Sequence, residues 1–139
     1  MTLEKISLME AYIIETLRST GVTNEELLRV NDTSIQTWSK VHENFDFTLL
    51  QSLAKNEAAY ESIIKEGYKI KFLTFNGLVN MLRLKFDKIP EKDFEKHEDS
   101  IGRLLVEKNR RIELEQILSP NWTIVSADDG TISIQSSVQ

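Results

Sequence analysis

Residues 22–54 read VTNEELLRVNDTSIQTWSKVHENFDFTLLQSLA, and this stretch does most to decide the predicted fold. Thr23 and Glu26 have the spacing of a capping box, so a short helix is expected to begin directly after Thr23. The polar run 31–33 predicts a tight turn that also caps a further helix, because short polar side chains accept hydrogen bonds from a helix N-terminus. Apolar side chains at helical spacing place that further helix at residues 34–44. The stretch therefore predicts two helices joined by a tight turn.

Helical spacing of apolar side chains continues on both sides of this stretch. The additional predicted helices span residues 3–19, 49–64, 78–86 and 101–112, or 101–118 if the last helix runs on. Gly21 and Gly67 are expected to follow helix ends, since glycine tolerates the left-handed conformation found there. The acidic stretch 91–99 has little apolar content and predicts either a surface helix or a linker.

Strand signals are fewer. Residues 122–125 and 131–134 alternate in polarity and flank Asp128-Asp129-Gly130, which predicts a β-hairpin. An isolated hairpin is only marginally stable, so either Trp122 holds it against the helices or its strands pair with a partner chain. Residues 68–72 also alternate, and they predict either a short strand or an extended link.

Together these patterns predict a mainly α protein, a single domain of five to seven helices with a small C-terminal β-hairpin. A chain of 139 residues fits one domain and can bury a core without disulfides. Within domain 1–139, three parts are expected. They are N-terminal helices over 1–66, with a helix-turn-helix at 23–44, a helical part with a basic segment over 67–118, and the hairpin and tail over 119–139.

Composition excludes several classes of protein. The chain has no cysteine, which excludes a disulfide framework, a cysteine zinc site and a thiol nucleophile. Glu4, Glu10 and Glu15 interrupt the apolar pattern of the first 19 residues, unlike a secretory signal. No apolar run approaches the ~18 residues of a membrane-spanning helix. We therefore expect a cytoplasmic protein without a membrane partner.

Residue patterns typical of catalysis are missing from the sequence. The five glycines are scattered and form no phosphate loop, and His42 and His97 have no metal-ligand spacing. The acidic residues of 91–99 lack the glycine-centred spacing of a calcium loop. The sequence thus predicts no catalytic residue, no metal site and no cofactor, and it favours a non-enzymatic regulatory binding protein.

Charge is distributed unevenly along the chain. Residues 1–64 hold ten acidic and five basic side chains, residues 65–88 hold six basic and two acidic ones, and residues 89–100 hold five acidic and two basic ones. The basic segment 65–88 predicts a patch for nucleic acid or for an acidic partner. The alternative is that its long side chains cover apolar surface while their charged ends stay in water.

The predicted helices and turn of 23–44 resemble the helix-turn-helix of phage-repressor-like regulators, and 46–54 resembles the supporting helix that follows it. Such a motif presents the start of its second helix to the DNA major groove. The resemblance covers roughly a quarter of the chain. It implies DNA contacts from Thr33, Ser34, Gln36, Thr37 and Lys40, supported by Lys69, Lys71, Arg83 and Lys85 of the basic segment.

Three positions depart from the pattern of these regulators. Leu28 stands where a small residue is usual, Asn31 where an apolar residue is usual, and Asp32 where glycine is usual in the turn. These departures bear on how closely the two helices pack.

Two hypotheses of function follow. The first is a small helix-turn-helix regulator of bacterial or phage type that binds DNA. The second is a protein–protein interaction module, an inhibitor or adaptor that binds a partner protein and no DNA. Its expected contacts are the acidic segments, the apolar helix 78–86 and the hairpin edge. The local motif favours the first hypothesis and the net charge of -5 favours the second. Pairing of the hairpin or of the helix 78–86 between chains would produce a homodimer.

Overall fold

The computed structural model describes residues 3–137, so the ends of the predicted first and last parts, residues 1, 2, 138 and 139, lie outside it. The described residues form seven helices and six strands. The helices are α1 (Leu8–Ser19), α2 (Asn24–Leu28), α3 (Asp32–Val41), α4 (Thr48–Ala54), α5 (Glu57–Lys65), α6 (Phe75–Phe86) and α7 (Lys108–Ile117). The strands are β1 (Glu4–Ile6), β2 (Tyr68–Ile70), β3 (Glu95–Lys96), β4 (Ile101–Leu104), β5 (Trp122–Ser126) and β6 (Ile132–Ser136).

The first predicted helix starts later than the apolar pattern indicates. Ser7 caps α1 in a capping box with Glu10, so the chain before Ser7 is extended rather than helical. The extended residues form β1, which pairs in parallel with β2 and aligns Ile6 with Ile70. Residues 68–70 are therefore a strand. Their partner β1 precedes helices α1 to α5, whereas β2 follows them.

The predicted caps of the next helices are confirmed. Thr23 and Glu26 form a capping box at α2, and Asn31 caps α3 by accepting a hydrogen bond from the Ser34 backbone at 3.0 Å. Gly21 and Gly67 have φ values of +99° and +114°, which glycine adopts without strain. Local sequence thus sets the starts of α2 and α3 through capping side chains and the ends of α1 and α5 through glycine.

The apolar helix α6 lies in the core. Leu78, Met81 and Leu82 are fully buried, and the helix packs against α1. Thr74 caps it by accepting from the Gly77 backbone. An interface through this helix, as the interaction hypothesis expects for 78–86, would therefore require the core to open.

The prediction of a helix over 101–118 is wrong for its first part. Residues Ile101–Leu104 form β4, and helix α7 begins only at Lys108. Buried Ile101 aligns with Ile134 of β6, so an apolar strand in the hairpin provides the backbone and side-chain partners that a helix would otherwise supply. The acidic stretch 91–99 contains the short strand β3, which pairs with β4. It is neither a helix nor a free linker.

The hairpin β5–β6 is confirmed, and it belongs to a larger sheet. The four strands are antiparallel in the order β3-β4-β6-β5. In the hairpin turn, Asp129 accepts hydrogen bonds from the backbone and hydroxyl of Thr131. These bonds are the main cause of a lowered pKa for the Asp129 carboxyl.

Trp122 attaches the hairpin to the helical part. Its indole Nε1 donates to the Leu73 carbonyl at 2.6 Å, and its ring lies 6.2 Å from that of Phe75. Ser119 and Asn121 also bond to the Leu73 backbone. Of the two roles predicted for the hairpin, attachment through Trp122 is therefore realised within the chain.

The predicted fold class, mainly α with only a C-terminal hairpin, is wrong. Helices hold 48% of the residues, and six strands in two sheets hold a further 18%. Two segments within predicted helical regions, 4–6 and 101–104, are strands because each finds a pairing strand far away in sequence. The fold combines α and β structure, and its buried apolar side chains form one cluster.

Candidate functional site

Helix α3, the second helix of the predicted helix-turn-helix, presents a polar stripe to solvent. Thr33, Gln36, Thr37 and Lys40 recur at helical spacing and are all exposed. Ser34 is half-buried and serves the helix itself, because its hydroxyl accepts from the Asn31 backbone and donates to the Asn31 carbonyl. Four of the five predicted contacts on α3 therefore share one accessible face.

The opposite side of α3 holds the helix in place. Trp38 is buried and its ring lies 6.1 Å from that of Phe47. Asp32, at the start of the helix, accepts a hydrogen bond of 2.7 Å from the Gln51 amide of α4. This anchor also places a carboxylate beside the end of α3 that would approach a phosphate backbone, where it opposes binding.

The four predicted bases of the basic segment have different environments. The Lys69 ammonium donates to the Leu118 carbonyl at 2.9 Å, at the C-terminal end of α7. Lys85 pairs with Glu15 at 3.2 Å, and its side chain is only 13% exposed. Lys71 and Arg83 are exposed. Two of the four bases are therefore bound to groups of the protein itself.

The predicted DNA contacts on α3 and those of the basic segment 65–88 lie in different parts of the fold. Helix α3 rests on Phe47 and α4, whereas β2 pairs with β1 and contacts α7, and α6 packs on α1. Within residues 3–137, no hydrogen bond or ion pair links α3 to the basic segment 65–88.

A charged network that the sequence reasoning missed lies around Glu15. This residue is only 3% exposed, although its side chain ends in a carboxyl group. Its Oε2 accepts from the Tyr68 hydroxyl at 2.6 Å, from Arg18 at 3.0 Å and from Lys85 at 3.2 Å. Burial, and after it the Glu15 carboxylate, raise the pKa of Tyr68 well above its ordinary value, so the phenol stays a donor. The sequence feature that could have indicated this network is the position of Glu15 within the apolar pattern of α1.

The Glu15 network borders a cleft of about 410 Å³ where the last turns of α1, α5 and α6 meet. Helix C-termini carry unpaired carbonyls and partial negative charge, so basic side chains are favourable there. Arg18 donates to the Ile64 carbonyl at 2.8 Å, and Arg110 donates to the Lys85 carbonyl. The basic side chains of the cleft therefore stabilise converging helix ends and are already paired.

The outer edge of β5 is an open strand edge. In the sheet order β3-β4-β6-β5, this edge faces no other strand of the part of the chain that the structure describes. The strand sequence WTIVS carries no charge and no proline, the devices that commonly protect such edges. Val125 is 44% exposed on the solvent face of the sheet.

The register of the hairpin identifies which backbone groups point outward. The Ser137 backbone donates to Asn121, and the Ala127 backbone donates to Thr131. Hydrogen-bonded pairs alternate along an antiparallel ladder, so the backbone groups of residues 123 and 125 also bond to β6. The backbone N–H and C=O groups of residues 122, 124 and 126 therefore point away from β6. The Trp122 N–H already donates to the Ser119 carbonyl at 3.1 Å. The open edge therefore offers the N–H and C=O groups of Ile124 and Ser126.

Helix α7 flanks this edge. Arg111 donates to the Ser126 hydroxyl at 3.0 Å and lies 3.4 Å from Glu115, one helical turn further on. Glu115 lines a groove of about 380 Å³ together with Trp122 and Ile124. Ile112, three residues before Glu115 on α7, is 59% exposed.

Comparisons with protein families, curated proteins and solved structures add no functional assignment, since none of the three gives a match to this chain. Among residues 3–137, acidic and histidine side chains form no group of three or more suited to hold a metal ion. No helix in that range combines the length and the apolar character needed to cross a membrane.

Proposed function

We propose that the protein acts by binding an extended segment of another protein chain at the β5 edge, as an interaction module does. The observation that supports this most is the open, uncharged edge with the N–H and C=O groups of Ile124 and Ser126 directed outward. A partner strand gains affinity from such main-chain groups and specificity from neighbouring side-chain pockets. The groove beside Trp122 and Ile124 is such a pocket.

The charge of the chain also supports a protein partner. The net charge is -5, and Lys69 and Lys85 bond within the protein. DNA affinity depends strongly on basic side chains that are free to neutralise phosphates. A protein partner needs no such excess of free bases.

The test is tagged purification from the native host with three forms of the protein. Val125→Lys places a charge on the open edge, and Gln135→Lys places the same charge on the same face of the sheet, one strand further in. We expect the wild type and Gln135→Lys to retain a stoichiometric protein partner, which includes an untagged copy of this chain, and Val125→Lys to lose it. Identical partners from all three forms would refute binding at this edge.

DNA binding is the second candidate, and the exposed stripe of α3 favours it. Gln36 and Lys40 are free to reach base edges or phosphates. Duplex binding should then weaken steeply as salt rises, and Lys40→Ala should reduce the salt slope by roughly one. Lys65→Ala is the control, because it removes the same kind of side chain from α5, where Lys65 pairs with Glu61. No duplex binding at low salt across a pool of genomic fragments would exclude this candidate.

A further inference from the structure

We infer that the chain bound at the β5 edge is the β5 strand of a second copy, so that the protein is a twofold-symmetric dimer with a continuous eight-stranded sheet. This inference rests on the proposed function, because it names the partner of the same edge. It follows from the register of the strand, from its lack of charge and from the residues of α7 beside it.

The outward groups of β5 are complementary to themselves. When two copies pair antiparallel about Val125, Ile124 of each copy lies opposite Ser126 of the other. Each Ile124–Ser126 pair exchanges two N–H···O=C bonds, which makes four bonds in total. None of the four needs the Trp122 N–H, which is already bonded to Ser119. Each of these free edge groups of Ile124 and Ser126 thereby gains a partner.

Side chains support the same arrangement, in which the twofold axis passes between the two copies of Val125. Val125 of one copy would lie opposite Val125 of the other in a pair without hydrogen bonds, where side chains approach most closely. This covers an apolar side chain that is 44% exposed in the single chain. No charge on the strand opposes the approach.

Charges on α7 are complementary across the same axis. Arg111 lies beside Ser126, and Glu115 lies beside Ile124. Since Ser126 faces Ile124 of the other copy, Arg111 of each copy approaches Glu115 of the other. A stable interface buries about 1,200 Å² or more, which exceeds what one short strand can supply. Exposed Ile112, a helical neighbour of Glu115, provides further apolar surface on α7.

The experiment is the mass of the purified full chain in solution, measured by light scattering and sedimentation over about 1 to 100 µM. We expect a dimer for the wild type and for Gln135→Lys. We expect a folded monomer for Val125→Lys and for Ser126→Pro, which removes the outward N–H of Ser126 without removing a bond to β6. Circular dichroism checks that both variants fold. A monomeric wild type at 100 µM, or a dimer that both edge variants leave intact, would overturn the inference.

Two further measurements test the register and the charges. The chain lacks cysteine, so Val125→Cys should oxidise to a disulfide-linked dimer while Gln135→Cys stays monomeric under denaturing conditions. Equal cross-linking of the two variants would refute the axis at Val125. Glu115→Arg should weaken the dimer, and adding Arg111→Glu should restore it. Failure of the second change to restore the dimer would refute the pairing across the axis.

The outcome separates the inference from the proposed function. If the purified protein is monomeric but a different protein is captured from the host in an edge-dependent manner, the inference fails and the proposed function stands. If the purified protein is an edge-dependent dimer, both stand. If edge variants change neither the mass nor the captured partners, both fail.

Discussion

Replacement of Glu15 by glutamine tests whether the buried network holds the helices together. The change keeps the size and shape of the side chain but removes the acidic group that pairs with both Arg18 and Lys85. The Tyr68 hydroxyl can still donate to the amide oxygen, so the main loss is the compensation of two basic groups.

The expected cost follows from the burial of the three charges. Breaking a buried ion pair by removing one partner costs about 3–5 kcal/mol, because the remaining charge is left without compensation. Glu15 is 4% exposed at its side chain, but Lys85 is 13% and Arg18 24% exposed, so water screens the two basic groups in part. The lower end, about 3 kcal/mol, is therefore expected, which for a chain of this length lowers Tm by roughly 10 °C.

The assay is urea unfolding at neutral pH, followed by tryptophan fluorescence and circular dichroism, with thermal unfolding as a second measurement. Glu61→Gln is the matched control, since it makes the same chemical change in an ion pair with Lys65 whose side chains are 60% and 55% exposed. Exposed pairs one helical turn apart, such as this one, contribute about 0.3–0.5 kcal/mol. If the free energy of unfolding of Glu15→Gln lies within about 1 kcal/mol of that of this control, the Glu15 network does not hold the helices together.

Two further predictions concern the pH dependence of stability and the backbone. Burial raises the pKa of Tyr60 to about 12 in the folded chain, against about 10 when unfolded, so its contribution is complete below pH 10 and is lost as pH rises towards 12. Urea midpoints between pH 8 and 11 should therefore fall less steeply for Tyr60→Phe than for the wild type, and equal slopes would contradict this. Gly67→Ala should lower stability by about 1–2 kcal/mol, mainly because φ is +114°, since the Gln116 amide oxygen 2.8 Å from the added Cβ ends a flexible side chain that can move away. Gly21→Ala, at φ +99° with open space around it, should cost a similar amount, and a several-fold larger loss for Gly67→Ala would contradict the backbone conformation as the main cause.

Features that depend on neighbouring residues could be predicted well. The capping box of Thr23 and Glu26, the cap at Asn31 and the Asp-Gly turn of the hairpin each involve groups within three residues of one another. Their hydrogen bonds form in the same way whatever the rest of the chain does. The two helices of the predicted helix-turn-helix were located for this reason, and so was the exposed polar stripe of α3, which follows from the helical repeat.

Features that depend on distant residues could not be predicted. Residues 4–6 continue the apolar pattern of α1, and only their pairing with 68–70 makes them a strand. In the same way, the Ile101–Ile134 pairing turns the start of a predicted helix into β4. Apolar spacing in such short segments fits a helix or a strand, and the choice is made by whichever partner the tertiary structure provides.

The same division applies to the candidate sites. The sequence by itself determined the local helices, their caps, the hairpin and the uneven charge, because each depends on residue type and short spacing. Only the tertiary structure decided that Lys69 and Lys85 bond within the protein while Lys71 and Arg83 stay exposed, and that Glu15 is buried among basic groups. It also decided that β5 rather than β6 is the sheet edge, because β4 pairs with β6. The physical reason is that exposure, charge pairing and strand order depend on groups far apart in sequence, which the folded chain brings together.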